Sequence, residues 1–138
     1  MLKKNDSLIN ELDRKFAKYE EYNKEIAIRK EELKLKEADE NIGGGKSNIV
    51  NNPIENQIIK ELSDPYISNR NMWKKAIKET LEEQSNDIKT LIENKYWGVD
   101  SWMDWVSFGK KHGYSRNTIY RIRQRILLSF GRKIGELM

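Results

Sequence analysis

The sequence has no cysteine, one histidine and two prolines. Without cysteine there is no disulfide framework and no thiolate zinc site. With a lone histidine, His112, and no cysteine, a metal cluster or a nucleophile–base pair is hard to assemble, and the scattered carboxylates read as solvated faces. No catalytic residue, metal or cofactor is therefore expected, and the chain does not read as an enzyme or as a binder of a small-molecule substrate. No apolar run approaches the ~18–20 residues that span a bilayer. The basic start, MLKKNDSLINEL, is not followed by an apolar segment, so neither a signal peptide nor a membrane partner is expected and the chain reads as cytosolic. No segment alternates with the period of two that a strand requires. The expected fold class is all-α.

Acid is also missing, but only locally. Residues 1–42 carry ten Lys/Arg and eleven Asp/Glu, and residues 43–95 carry eight of each. Residues 96–138 carry eight basic and three acidic residues, with no acid between Gly109 and Lys133. Positive charge gathered into one block is how a phosphate-binding surface looks in sequence.

The organisation is read from periodicity and caps. From Ser7 to about Lys36, Ile9, Leu12, Phe16, Tyr19, Ile26 and Leu33 recur at helical spacing. In heptads Ile9 and Phe16 fill one core position, and Leu12, Tyr19, Ile26 and Leu33 the other, with Asn23 and Lys30 interrupting the first seam. This stripe (residues 1–40) is either a dimerising coiled coil or an amphipathic helix folded back on the chain. Residues 41–52, NIGGGKSNIVNN, read as a flexible linker, because three consecutive glycines are costly in a helix. Gly45-Lys46-Ser47 resembles the end of a P-loop, but Glu40 stands where the motif needs glycine, and a helix replaces the preceding strand. Residues 53–84 hold two paired helices, each started by proline. Asn52-Pro53-Ile54-Glu55 reads as cap, first turn and reciprocal acid, ahead of a face of Ile54, Ile58, Ile59 and Leu62. Asp64-Pro65 repeats the signal before the stripe Tyr66, Arg70, Trp73, Ile77 and Leu81.

Residues 85–138 form the last expected domain. Gln84-Ser85-Asn86 breaks the chain and caps a helix from Asp87 to Tyr96, with Ile88, Leu91 and Ile92 on its core face and Trp97-Gly98 at its end. Ser101 is expected to cap a helix from Trp102 to Lys111. His112-Gly113-Tyr114-Ser115 then forms a tight turn, with Gly113 at positive φ and Ser115 as cap. Gly109 is small where two helices must approach, and Trp105 and Phe108 face the shared core. A glycine-bearing turn of this length between two helices is the physical signature of a helix-turn-helix.

The following helix sorts by rotation at ~100° per residue. Ile119, Ile122, Ile126 and Phe130 form the inward stripe, while Asn117, Arg121, Gln124 and Leu128 fall opposite, flanked by Thr118 and Arg125 on one side and Tyr120 on the other. Arginine pairs with guanine O6/N7, and asparagine or glutamine with adenine N6/N7. Arg116, Asn117, Thr118, Tyr120, Arg121 and Gln124 are accordingly the expected base contacts on double-stranded DNA. Lys110, Lys111, Ser115, Arg123 and Arg125 are the expected phosphate contacts, which position without reading sequence.

The stretch Asp87 to Leu127, containing IKTLIENKYWG and then SWMDWVSFGKKHGYSRNTIYRIRQRIL, resembles the DNA-binding unit of sigma-factor region 4. There a helix ending in an apolar-aromatic pair precedes a helix-turn-helix. The layout of amphipathic N-terminal helix, glycine-rich linker, paired helices and sigma-like unit is similar to the RinA and Ltr late transcriptional regulators of phages of Gram-positive bacteria. The resemblance implies an activator of packaging and morphogenesis genes that works with host RNA polymerase in the bacterial cytoplasm. It assigns base reading to Arg116, Asn117, Thr118 and Arg121. His112 and Tyr114 depart from the pattern, standing where aliphatic residues are usual. One helix-turn-helix covers little DNA, so a homo-oligomer, a dimer first, is expected. The competing readings are a repressor or terminase small subunit, and a helical protein–protein adaptor using the N-terminal seam and Leu128.

Overall fold

Proline-started helices need a side chain to satisfy their first N–H groups, and the computed structural model places one at both sites. It describes residues 2–44 and 52–137, with side chains at 6–36 and 52–137. Asn52 Oδ1 accepts from the Ile54 and Glu55 N–H groups at 3.0 and 3.3 Å. Asp64 Oδ2 accepts from the Ile67 N–H at 3.1 Å. All regular structure among the described residues is helical: α1 (Leu2–Ala17), a 3-10 turn (Tyr19–Glu21), α2 (Tyr22–Gly44), α3 (Pro53–Ser63), α4 (Pro65–Glu82), α5 (Asn86–Trp97), α6 (Trp105–Lys111) and α7 (Arg116–Lys133). Among the described residues no helix is long and apolar enough to cross a membrane.

The chain forms two units. The first comprises Met1–Glu20 with Trp73–Met138, and the second Glu21–Met72. In the first, α1 lies against α7 and α5, and α6 against α7. Leu12, Phe16, Ile77, Ile92, Phe108, Ile119, Ile126, Leu127 and Phe130 are wholly buried there. Phe16 stacks on Trp97 at 5.7 Å and meets Phe130 edge-on at 5.5 Å. Tyr96 donates its phenolic hydrogen to Asp13 of α1. In the second unit, α3 lies against α2. Tyr22, Ile26 and Ile67 are buried there, and ion pairs join the helices: Arg29 holds Asp64 with Nε and Nη2 at 2.8–3.2 Å, and Arg70 Nε meets Glu25 at 2.8 Å. The Arg29 guanidinium holds the Asp64 carboxyl below the usual carboxylate range.

Three expectations are corrected. The single helix expected from Ser7 to Lys36 is two helices, broken at residues 18–21. The indole N–H of Trp97 donates to the Ala17 carbonyl at 2.8 Å, taking a group that would otherwise wait for the next helical turn. The stripe is thereby divided. Ile9, Leu12 and Phe16 are buried and Tyr19 half-buried in the first unit; Ile26 is buried and Leu33 half-buried in the second. No continuous seam runs along these residues. Of the stretch 41–52 expected as a linker, residues 41–44 belong to α2, which continues through Gly43 and Gly44. Glycine costs least at a helix end, where fewer intrahelical bonds depend on it. The rest of that stretch, with Gly45-Lys46-Ser47, lies outside the described residues. Finally, the helix expected from Trp102 begins at Trp105, with Asp104 rather than Ser101 in the cap position.

Candidate nucleic-acid interface

The loop that shortens α6 is shaped by a buried carboxylate. Residues 98–103 form consecutive turns, with Ser101 N–H donating to the Gly98 carbonyl and Met103 N–H to that of Asp100. Asp100, 4% exposed, turns inward. It accepts from Lys111 Nζ at 2.7 Å and from Asn94 Nδ2 at 3.1 Å, and lies 2.9 Å from His112 Nε2. Hydrogen bonds from Lys111 and His112 pull its carboxyl down to about 2. One side chain thus ties α5, the loop and the C-terminal end of α6 together. The His112 ring also lies 4.5 Å from that of Phe108, which accounts for an aromatic residue at this turn.

The turn itself is fixed by glycine and serine. At the end of α6, Gly113 N–H donates to the Lys110 carbonyl at 3.2 Å and Tyr114 N–H to that of Gly109 at 2.7 Å. That pair of bonds is the Schellman arrangement, which needs a left-handed residue between them. Gly113 supplies it at φ +85. Ser115 Oγ then accepts from the Thr118 N–H at 3.2 Å and starts α7. Gly109 answers a different need: a Cβ there would lie 2.8 Å from Ile119 Cβ, so α6 and α7 meet this closely only over a hydrogen. The same capping recurs at the end of α7 around Gly135, at φ +80, which the sequence reading did not single out.

With Ile119, Ile122, Ile126 and Phe130 buried, α7 presents Arg116, Asn117, Tyr120, Arg121 and Gln124 to solvent, and Thr118 is half-buried. The Arg116 guanidinium stands 5.9 Å from the Tyr120 ring, within cation–π range. Lys110 is exposed beside this face. The other expected phosphate contacts fare differently. Lys111 keeps its stem exposed but ends on Asp100. Ser115 uses its hydroxyl on Thr118, as a cap. Arg125 is exposed, with Nη2 at 3.4 Å from Gln84 Oε1. Arg123 is the correction: its side chain is 14% exposed, with Nη2 3.2 Å from Asn10 Oδ1 and 3.6 Å from Asp13, and the guanidinium over the Trp105 ring. It lies one turn beyond Ile119, on the stripe that faces α1, so it holds the fold rather than a phosphate.

Asp100 is the residue that sequence reasoning missed. Its signal was faint, a single acid in a glycine-started loop just ahead of a basic helix. Lys95 was missed too: it is buried with its Nζ 4.9 Å from the Trp105 ring, and burial lowers its pKa.

The arrangement is a closely packed, capped helix pair with an outward face of guanidinium and amide groups, suited to hydrogen-bonding a planar, acceptor-rich surface. No curated protein and no solved structure matches the chain. A family model described as "protein of unknown function (DUF722)" matches residues 1–130, and the chain belongs to that family.

Proposed function

We propose that the protein is a sequence-specific DNA-binding transcriptional activator, with α6 and α7 as a sigma region 4-like helix-turn-helix and α7 as its recognition helix. The observation that carries this reading is the exposed set Arg116, Asn117, Arg121 and Gln124 on the first turns of α7, behind a tight turn that Gly109 and Gly113 permit and Ser115 caps. Bidentate reading of base edges needs donors held in fixed positions, and each good pair discriminates by ~1–3 kcal/mol. Lys110 and Arg125 serve phosphates, and Lys111 does so only in competition with Asp100. The resemblance to phage late regulators extends the reading to packaging and morphogenesis promoters, with host RNA polymerase as partner in the bacterial cytoplasm and two copies on paired half-sites.

The test compares two arginine and lysine truncations on a duplex selected from a randomised pool. Arg121→Ala should cost about 1–3 kcal/mol on the selected site and relax its sequence preference. Lys110→Ala should weaken selected and scrambled duplexes alike and reduce the salt slope by about one. Identical behaviour of the two variants on both duplexes would overturn the assigned orientation of α7.

A further inference from the structure

In the second unit, α3 is amphipathic in the wrong sense for a monomer. Asn56, Gln57, Lys60 and Glu61 form its half-buried side, while Ile54, Ile58, Ile59 and Leu62 are exposed. Their exposures are 73%, 51%, 55% and 77%, and no residue of the helix is buried. An isolated helix shorter than ~12–15 residues is marginal in water, and its stability comes mostly from packing an apolar face. α3 has eleven residues, and none of the four aliphatic side chains on its apolar face is buried.

We propose that this face is the contact between two copies of the chain, α3 crossing α3 about a two-fold axis. Size supports this occupant. Four aliphatic side chains so exposed present on the order of 450 Å² of apolar surface, within the range where a monomer's largest patch is often functional. Interfaces are about 60% apolar, so such a face implies ~700–750 Å² per copy, close to the ~800 Å² per partner of a specific complex. Beside it a shallow groove of about 330 Å³, with Ile58, Leu62 and Ile67 among its lining residues, can receive an aliphatic side chain of the second helix.

Charge selects a second copy over a basic or acidic partner. Across a two-fold axis each ion near the axis lies close to its own duplicate, so a self-contact must be nearly neutral. The flanking charges are paired inside the unit: Glu61 is 3.6 Å from Lys30 and accepts from Gln57, and Asp64 is held by Arg29. The rest of the face is aliphatic except for Glu55, exposed at its N-terminal end one turn before Ile58 and Ile59, and its centre offers a charged peptide no complement. The inference adds a surface to the two-copy arrangement proposed above, and its test reads mass without DNA, so it stands or falls apart from the recognition helix.

The experiment is sedimentation velocity on the full chain over a range of micromolar concentrations. The wild type should sediment at twice the chain mass. Ile58→Asp should weaken association by at least about 100-fold, since a central apolar residue is lost from both copies at once. Leu62→Gln, at a side chain already 77% exposed, checks the same face without threatening the fold, and should weaken association while leaving the helical circular dichroism unchanged. Val99→Asp, at an apolar side chain 83% exposed in the first unit, should leave the dimer intact. A monomeric wild type, or dimers that survive both α3 substitutions, would overturn the proposal.

Discussion

The two units reach stability by different means. The first gathers aromatic rings in its interior: Phe16, Tyr96, Trp97, Trp105, Phe108 and Phe130 are linked by ring contacts of 4.8–6.3 Å. It carries eighteen Lys/Arg against twelve Asp/Glu. The second carries eight against ten; it buries Tyr22, Ile26 and Ile67, is also fastened by Arg29–Asp64, Arg70–Glu25 and Lys30–Glu61, and leaves the aliphatic face of α3 outside. A densely packed interior can tolerate a surface of one sign, because burial outweighs the modest repulsion of exposed charges. A unit with a small buried interior and partly exposed ion pairs has less such reserve, and its exposed apolar face is where further stability is available.

The largest test of that contrast is Phe16→Ala. It removes a wholly buried ring at the meeting of α1, α5 and α7 and should destabilise the first unit by about 3–5 kcal/mol in denaturant unfolding. A cost under 1 kcal/mol would show that the aromatic interior is not what holds that unit. Asp64→Ala should cost about 1.5–3 kcal/mol, through the lost cap of α4 and the lost partner of Arg29. Its effect should appear first as faster amide exchange in α3 and the start of α4, with α7 unchanged; equal acceleration in both units would erase the distinction between them. Gly109→Ala and Gly113→Ala sharpen the picture within the first unit. At Gly109 the added Cβ meets the branched Cβ of Ile119, which cannot swing aside, and the expected cost is about 1–3 kcal/mol with weakened DNA binding. At Gly113 there is open space, so only the left-handed φ is penalised, by about 1 kcal/mol. If Gly113→Ala proved the costlier of the two, the close helix approach would not be what sets the turn.

Local chemistry was legible in the sequence. The caps at Asn52, Ser85 and Ser115, the glycine turn, and the buried stripe of α7 depend on residues within about one helical turn of each other, and each is found. Distant bonds were not legible. The break after α1 depends on an indole eighty positions away, and the start of α6 on the inward turn of Asp100. Arg123 differs: its spacing from Ile119 and Ile126 puts it on the buried stripe, while its charge points to a phosphate, and position decides. For α3, periodicity located an apolar face correctly and could not say what covers it.

The central claim is best tested by fluorescence anisotropy of the full chain on a selected duplex and its scrambled counterpart, from about 50 to about 200 mM salt. Affinity should be at least about 1,000-fold tighter on the selected duplex, falling steeply with salt on both. Equal, weak and salt-insensitive binding to the two duplexes would contradict the claim.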